Sequence, residues 1–395
     1  MSTPTPAPAP ARGATGAVDR ALAPDLARGV MLLAIAVAHA PLFVTAVERG
    51  PALANDIAGV FHLLFVHNHA RPMFAFLYGY ALVQLYDRQT RRGADWPRTR
   101  RLLRRRGWWL AAIGFAHVVL LVPIDILAAY GIAGVLLVGL LRARDATLLW
   151  TGGVLLVPAT LLTAMSVWLP LTQGVSSYTV GSIAAGDRGA VEMLADRLAA
   201  WPFGLAVAVV SVAPAVVFGM WAARRRYLEE PERHRGLLVR FTAAATGVSV
   251  LGALPAAAMQ AGVWADPPAA AVGAASLVQP LTGYFGGIAM AGAVALAAIA
   301  AARSRGPLTT ALQALGQRSM TVYLAQSVVF TFVFFPFGLG LQDDLGLAGA
   351  TAVAAASWVA AVVAADLMRR AGRRGPAEVL LRWLAYPRRP RAGSA

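Results

Sequence analysis

Apolar runs of roughly twenty residues recur along the chain, punctuated by short arginine-rich or turn-forming stretches. A run of that length is what a helix needs to cross a hydrocarbon layer about 30 Å thick. The period-two alternation of an outer-membrane barrel is absent. The pattern predicts ten crossing segments: 27–47, 58–86, 107–122, 125–141, 146–169, 200–222, 238–262, 271–302, 312–336 and 346–368. The expected fold class is therefore all-α, a polytopic membrane helical bundle. Segment 58–86 should break near Arg71-Pro72, because proline disfavours helical geometry in the residue before it. The third and fourth segments should form a tight hairpin through Val122-Pro123-Ile124. No internal repeat of transporter type is evident.

Ahead of the first run, residues 1–21 are rich in proline and alanine and read as a disordered cytosolic tail. Ala38-His39-Ala40 has the form of a signal-peptide cleavage site, but Pro41 would hinder cleavage and nine more apolar runs follow. Residues 22–386 are expected to form one transmembrane domain, and 387–395 a basic cytosolic tail.

Loop charge gives the chain a direction. The connections DRQTRRGADWPRTRRLLRRR, RARD, RRRYLEEPERHR, RSRG and RRAGRRGPAEVLLRWLAYPRRPR alternate with ERGPALAND, VPID, 170–199, WADPP and GLGLQDD. Arginine is retained on the cytoplasmic side. Ten crossings with both termini cytoplasmic satisfy every loop, which predicts a multi-pass protein of the cytoplasmic (inner) membrane.

Composition agrees with that picture. Of 395 residues, 58% are hydrophobic and 14% charged, and the mean hydropathy is +0.61; a soluble domain carries about 25% charged residues. The net charge of +16 comes entirely from arginine, with no lysine. These arginines cluster between apolar runs, so nucleic acid is not an expected partner. The expected partners are the lipid bilayer and anionic headgroups at the basic loops. GRRGPAEVLLRWLAY reads as a short amphipathic helix on the inner leaflet. The absence of cysteine excludes disulfides and thiolate chemistry.

Ionisable groups within the apolar runs are the candidate chemistry, since such groups are costly in a bilayer. In DLARGVMLLAIAVAHA, Asp25 and Arg28 share a helix face. His39 lies eleven residues past Arg28, within about 20° of the same face and roughly 16 Å further along the axis. Asp25 and Arg28 read as an interfacial ion pair or as an anion-binding mouth. His39 reads as an interhelical hydrogen-bonding group or as a general base. The second segment holds His62, His67, Asn68, His69 and Arg71, which must face a cavity or the bundle interior. Their spacing matches no metal motif, so no metal is assigned. His117 and Asp125 flank the third hairpin as a candidate carboxylate–histidine pair. Ser319, Tyr323 and Gln326 form a polar stripe in the ninth segment, either interhelical glue or pocket lining.

RRRGWWLAAIGFAHVVLLVPIDILAAYGIAGVLLVGLL, LGQRSMTVYLAQS and RRGPAEVLLRWLAY resemble the bacterial integral membrane family called domain of unknown function 418, the YeiB-like proteins. Thr321, Tyr323, Gln326, Ser327, Gly375, Pro376, Glu378, Arg382 and Tyr386 carry the match; Val322, Val379 and Leu381 depart from it. The resemblance implies membership of a wider group of transmembrane acyltransferases. Their opening Asp-x-x-Arg-Gly matches Asp25, Arg28 and Gly29; the histidine implicated in catalysis in the acyltransferase family 3 members of that group matches His39 by spacing, where the 418 family more often has asparagine. The implied reaction moves an acyl group from a cytosolic thioester to a membrane or extracytoplasmic acceptor. Asp25, Arg28 and His39 would be catalytic, and His62, His67, His69, Arg71, His117, Asp125, Tyr323 and Gln326 would bind substrate. No cofactor is implied; acyl-CoA enters as the possible donor. The alternative, from another class, is a transporter or flippase for a small metabolite or lipid-linked precursor.

Overall fold

The computed structural model describes residues 21–184 and 189–386. The remainder of the N-terminal tail, the basic tail 387–395, and Asp187 and Arg188 of the 170–199 connection lie outside the described residues. In chain order the helices are α1 (Leu22–His39), α2 (Ala52–Phe65), α3 (Ala70–Arg91), α4 (Trp96–Leu120), α5 (Leu127–Leu137), α6 (Asp145–Gln173) and α7 (Ser177–Val180). They continue as α8 (Ala190–Arg224), α9 (Arg235–Gln260), α10 (Ala269–Arg303), α11 (Pro307–Gly316), α12 (Ser319–Phe334), α13 (Leu347–Arg370) and α14 (Pro376–Ala385). Short 3-10 turns extend α1 through Phe43 and α5 through Arg142. No strand occurs among the described residues. The all-α expectation is met.

Six segments are long and apolar enough to cross a membrane: Leu22–Phe43, Asp145–Gln173, Val191–Arg224, Arg235–Gln260, Ala269–Arg303 and Leu347–Arg370. Leu127–Arg142 and Ser319–Phe334 are shorter apolar helices. Large apolar side chains such as Trp150 and Phe203 stand about three-quarters exposed, at 77% and 76%. Lipid accounts for such surface where water would not. This is a multi-pass, membrane-type helical protein.

Two expected segments prove to be pairs of helices. Segment 58–86 is α2 and α3, and the break falls at 66–69 rather than at Arg71-Pro72. Pro72 is the third residue of α3, where its missing N–H would have had no helical partner anyway. The chain turns instead at Asn68, which adopts φ 61°, a left-handed conformation that asparagine tolerates. Segment 312–336 is α11 and α12, separated at Gln317-Arg318.

Small residues set the closest helix contacts. A β-carbon at Gly79 of α3 would overlap the Val216 carbonyl of α8, and one at Gly219 of α8 would overlap that of Phe76. Gly283 and Gly287 of α10 receive the carbonyls of Asn68 and His69, at 2.7 and 2.5 Å from where a β-carbon would stand. Close backbone approach of this kind is how membrane helices gain packing energy. Here it seats the α2–α3 break. Gln279 of α10, fully buried, accepts from Asn68 Nδ2 at 2.7 Å and donates to the His67 carbonyl at 3.1 Å.

The arginine-rich connections meet at one end of the bundle. Arg142 lies over the Trp96 ring, Arg224 and Arg225 bind Asp145, and Arg303 binds Glu232. Gln317 donates to Asp25, and Arg318 to the Arg373 carbonyl. The arginine-poor connections meet at the other end. Thr45 bonds Asp343, Asn55 holds the Glu48 and Arg49 carbonyls, and Ile183 N–H reaches the Leu42 carbonyl.

Candidate functional site

α1 carries its polar stripe into two separate places. Asp25, buried in the first turn, accepts from Arg28 Nη1 at 2.9 Å and from Gln317 Nε2 at 3.1 Å. This pins the start of α1 to the α11–α12 junction. Met31 and Leu32, both fully buried, follow. Only beyond them does α1 reach a cavity, which it lines with Ile35, Ala38 and His39.

The cavity has a volume of about 480 Å³, within the usual range for small-molecule sites. It lies at the arginine-poor end. Its walls come from α1, the α2–α3 break (Val66, His67, Asn68), the start of α3 (Ala70, Arg71) and the α4–α5 hairpin (Pro123, Ile124, Asp125). Ser166 of α6, Ser177 and Tyr178 of α7, and Arg197, Trp201 and Gly204 of α8 complete it. Most of the lining is apolar, with a few polar groups directed inward.

Four expected site residues meet here: His39, His67, Arg71 and Asp125. His39 makes no hydrogen bond to another described residue; its ring centroid lies 6.3 Å from that of Tyr323. Arg71 offers its own carbonyl to the Tyr130 hydroxyl at 3.4 Å, while its guanidinium makes neither hydrogen bond nor ion pair with any described residue. It lies within electrostatic reach of both His39 and His67. Asp125 accepts from Ala128 N–H at 2.6 Å through Oδ2, and its Oδ1 lies 3.3 Å from His117 Nδ1.

His117 and Tyr323 form the layer behind. His117 Nε2 pairs with the Ser327 hydroxyl at 2.8 Å, and its ring lies 5.2 Å from that of Tyr323. The Tyr323 hydroxyl sits 3.4 Å from both the Ile124 carbonyl and the Ile126 N–H, so it fastens the hairpin.

The other expected residues stand apart. His62 spends both ring nitrogens on packing, with Tyr178 Oη at 2.6 Å and Thr351 Oγ1 at 2.9 Å. His69 does likewise, with the His67 carbonyl at 2.7 Å and Ser249 Oγ at 2.6 Å. Gln326 is buried within α12 and outside the cavity lining. Asp25 and Arg28 are not brought to His39. Asn68, part of the expected polar set of the second segment, also lines the cavity, whereas sequence reasoning missed Ser166, Tyr178, Arg197 and Trp201 as lining groups. Arg197 lies in the arginine-poor 170–199 connection of the sequence pattern, and no local signal marks the others as lining groups.

Residues 222–388 match the sequence model of a family described as "Protein of unknown function (DUF418)". Over this C-terminal part the chain is similar to the DUF418 family. The matched DUF418 region contains the 315–327 and 373–386 blocks but not the block 104–141, and the cavity is built from residues that precede it. A curated relative extends the similarity. "Uncharacterized protein YxaH" of Bacillus subtilis (strain 168) is 26% identical over 347 residues, covering 82% of this chain and 80% of that protein.

Proposed function

We propose that the chain is a cytoplasmic-membrane acyltransferase in which the cavity is the reaction site and His39 the general base. The observation that carries this reading is an imidazole that lines a ligand-sized cavity and makes no hydrogen bond with another described residue. Such a group is available to a substrate proton, whereas His62 and His69 are not. In the reaction, the imidazole nitrogen takes the proton of an acceptor hydroxyl. The hydroxyl oxygen attacks the acyl carbonyl carbon of a thioester, the carbon–sulfur bond breaks, and the imidazolium returns the proton to the departing thiolate. Asp25 and Arg28 then serve to anchor α1.

The proposed topology has ten crossings, with both termini and the arginine-rich connections cytoplasmic. α2 with α3, and α11 with α12, each make one crossing. A cytosolic acyl-CoA then needs Met31 and Leu32 to move aside before its acyl group meets His39. The test is acyl transfer and thioester hydrolysis by the reconstituted protein. His39→Ala, inserted normally, should lose at least about 100-fold in rate. Full activity in that variant would remove His39 as the base.

A second reading, transport, draws on one observation: the α2–α3 break lines the cavity. Interrupted helices whose ends face a central site are a transporter feature. Accumulation of a solute in proteoliposomes without covalent change would favour it over acyl transfer.

A further inference from the structure

We propose that Arg71 binds an oxyanion, a carboxylate or phosphate group, carried by the molecule that occupies the cavity. This rests on the cavity being the ligand site and adds the ligand's charge, which the acyl-transfer reading leaves open.

At the other end several arginines are paired with carboxylates. Arg224 and Arg225 share Asp145, Arg303 holds Glu232, and Arg369 and Arg370 share Asp366. Arg71 lies in the first turn of α3, against the cavity, and no described carboxylate comes within 4 Å of its guanidinium. Asp125 shares the lining but turns Oδ2 to the Ala128 N–H and Oδ1 toward His117. The His67 carbonyl is taken by Gln279 and His69.

Arginine cannot lose its proton to relieve the cost of burial, and a lone cation at membrane depth is expensive. Its planar fork matches a carboxylate or phosphate in two parallel hydrogen bonds. The start of α3 adds positive potential at the same point. A bound oxyanion therefore supplies the counter-charge that the fold withholds.

The absence of cysteine permits a test independent of any catalytic assay. Ser166→Cys places a single thiol in the cavity lining, and Thr172→Cys an exposed reference. Labelling rates are compared for anionic sulfonatoethyl and cationic trimethylammonioethyl methanethiosulfonate in phosphatidylcholine nanodiscs. The anionic reagent should be favoured at position 166 by about tenfold over the reference. Adding Arg71→Gln should abolish that preference, and Arg71→Lys should keep most of it. Millimolar inorganic phosphate or acetate should slow labelling at 166 if the oxyanion is soluble. Phosphatidylglycerol nanodiscs alone should slow it, relative to position 172, if the oxyanion is a lipid headgroup.

A preference that survives Arg71→Gln overturns the proposal. So does labelling indifferent to phosphate, acetate and phosphatidylglycerol alike, a result readable without any Arg71 variant should those fail to fold. A preserved charge preference in a protein with no acyl transfer would remove the enzyme reading and leave Arg71's role standing.

Discussion

At the arginine-rich end, Arg224 donates to the carbonyls of Leu140, Leu141 and Ala143 as well as to Asp145. At the other end, Arg71 lines the cavity with no described carboxylate within 4 Å of its guanidinium. The same residue type is thus used up in joining connections in one place and left available in the other. A buried cation whose partners are all supplied by the fold stabilises the contact it spans. A cation without them carries a desolvation cost that the fold does not offset and that a bound anion would lower. The histidines divide the same way: His62 and His69 are consumed by packing, while His39 faces the cavity.

The largest effects should come from overfilling the close backbone contacts at each end. Gly316→Val would drive a side chain into the Asp25 carbonyl, and Gly287→Val into that of His69. Each should cost about 3 kcal/mol, the upper range for overpacking, read as a fall in the detergent midpoint of unfolding. Their consequences for the cavity should differ. Gly287→Val displaces the 66–69 break and should change thiol labelling at position 166 in whatever protein folds. Gly316→Val should leave that labelling unaltered. Equal effects on labelling would show that the two ends are mechanically one unit.

Next in size is the docking of α14. The Glu378 carboxylate accepts from the N–H groups of Met320 and Thr321, at 2.8 and 3.2 Å, and from the Thr321 hydroxyl. It therefore caps α12 from a different helix. Glu378→Ala should cost about 1–2 kcal/mol, the usual range for a lost cap, again without altering the cavity's preference for an anionic reagent. A changed preference would mean that the arginine-rich end controls the site.

The sequence made the helices legible because the bilayer enforces apolar runs, and it made the two ends legible because arginine marks one of them. It misplaced the α2–α3 break because proline is the more conspicuous breaker. The actual turn depends on Asn68 taking a left-handed conformation and on Gly283 and Gly287 standing far along the chain to receive it. The α11–α12 interruption was hidden for a similar reason: Arg318 looked like one polar residue in a long segment, whereas its guanidinium is drawn to the Ala314 and Arg373 carbonyls. Of the candidate site, His39, His67, Arg71 and Asp125 stood out because ionisable groups are rare in apolar runs. Which histidines are satisfied could not be read locally. The partners of His62 and His69 are Tyr178, Thr351 and Ser249, each more than a hundred residues away.

The smallest expected effect lies within a single helix. α8 is tight at Gly219, where a β-carbon would overlap the Phe76 carbonyl, and open at Gly204, where nothing lies within 4 Å. Gly204 lines the cavity. Gly204→Ala removes backbone freedom from the unfolded chain and creates no clash, so it should stabilise by about 0.4–1 kcal/mol. Gly219→Ala should destabilise by more than that, because the α3 backbone stands in the way. Thermal unfolding of the two variants in one detergent compares them directly. If Gly204→Ala instead destabilised the protein, the α8 wall would have to be packed against a neighbour, and the cavity that leaves His39 and Arg71 available would be closed on that side.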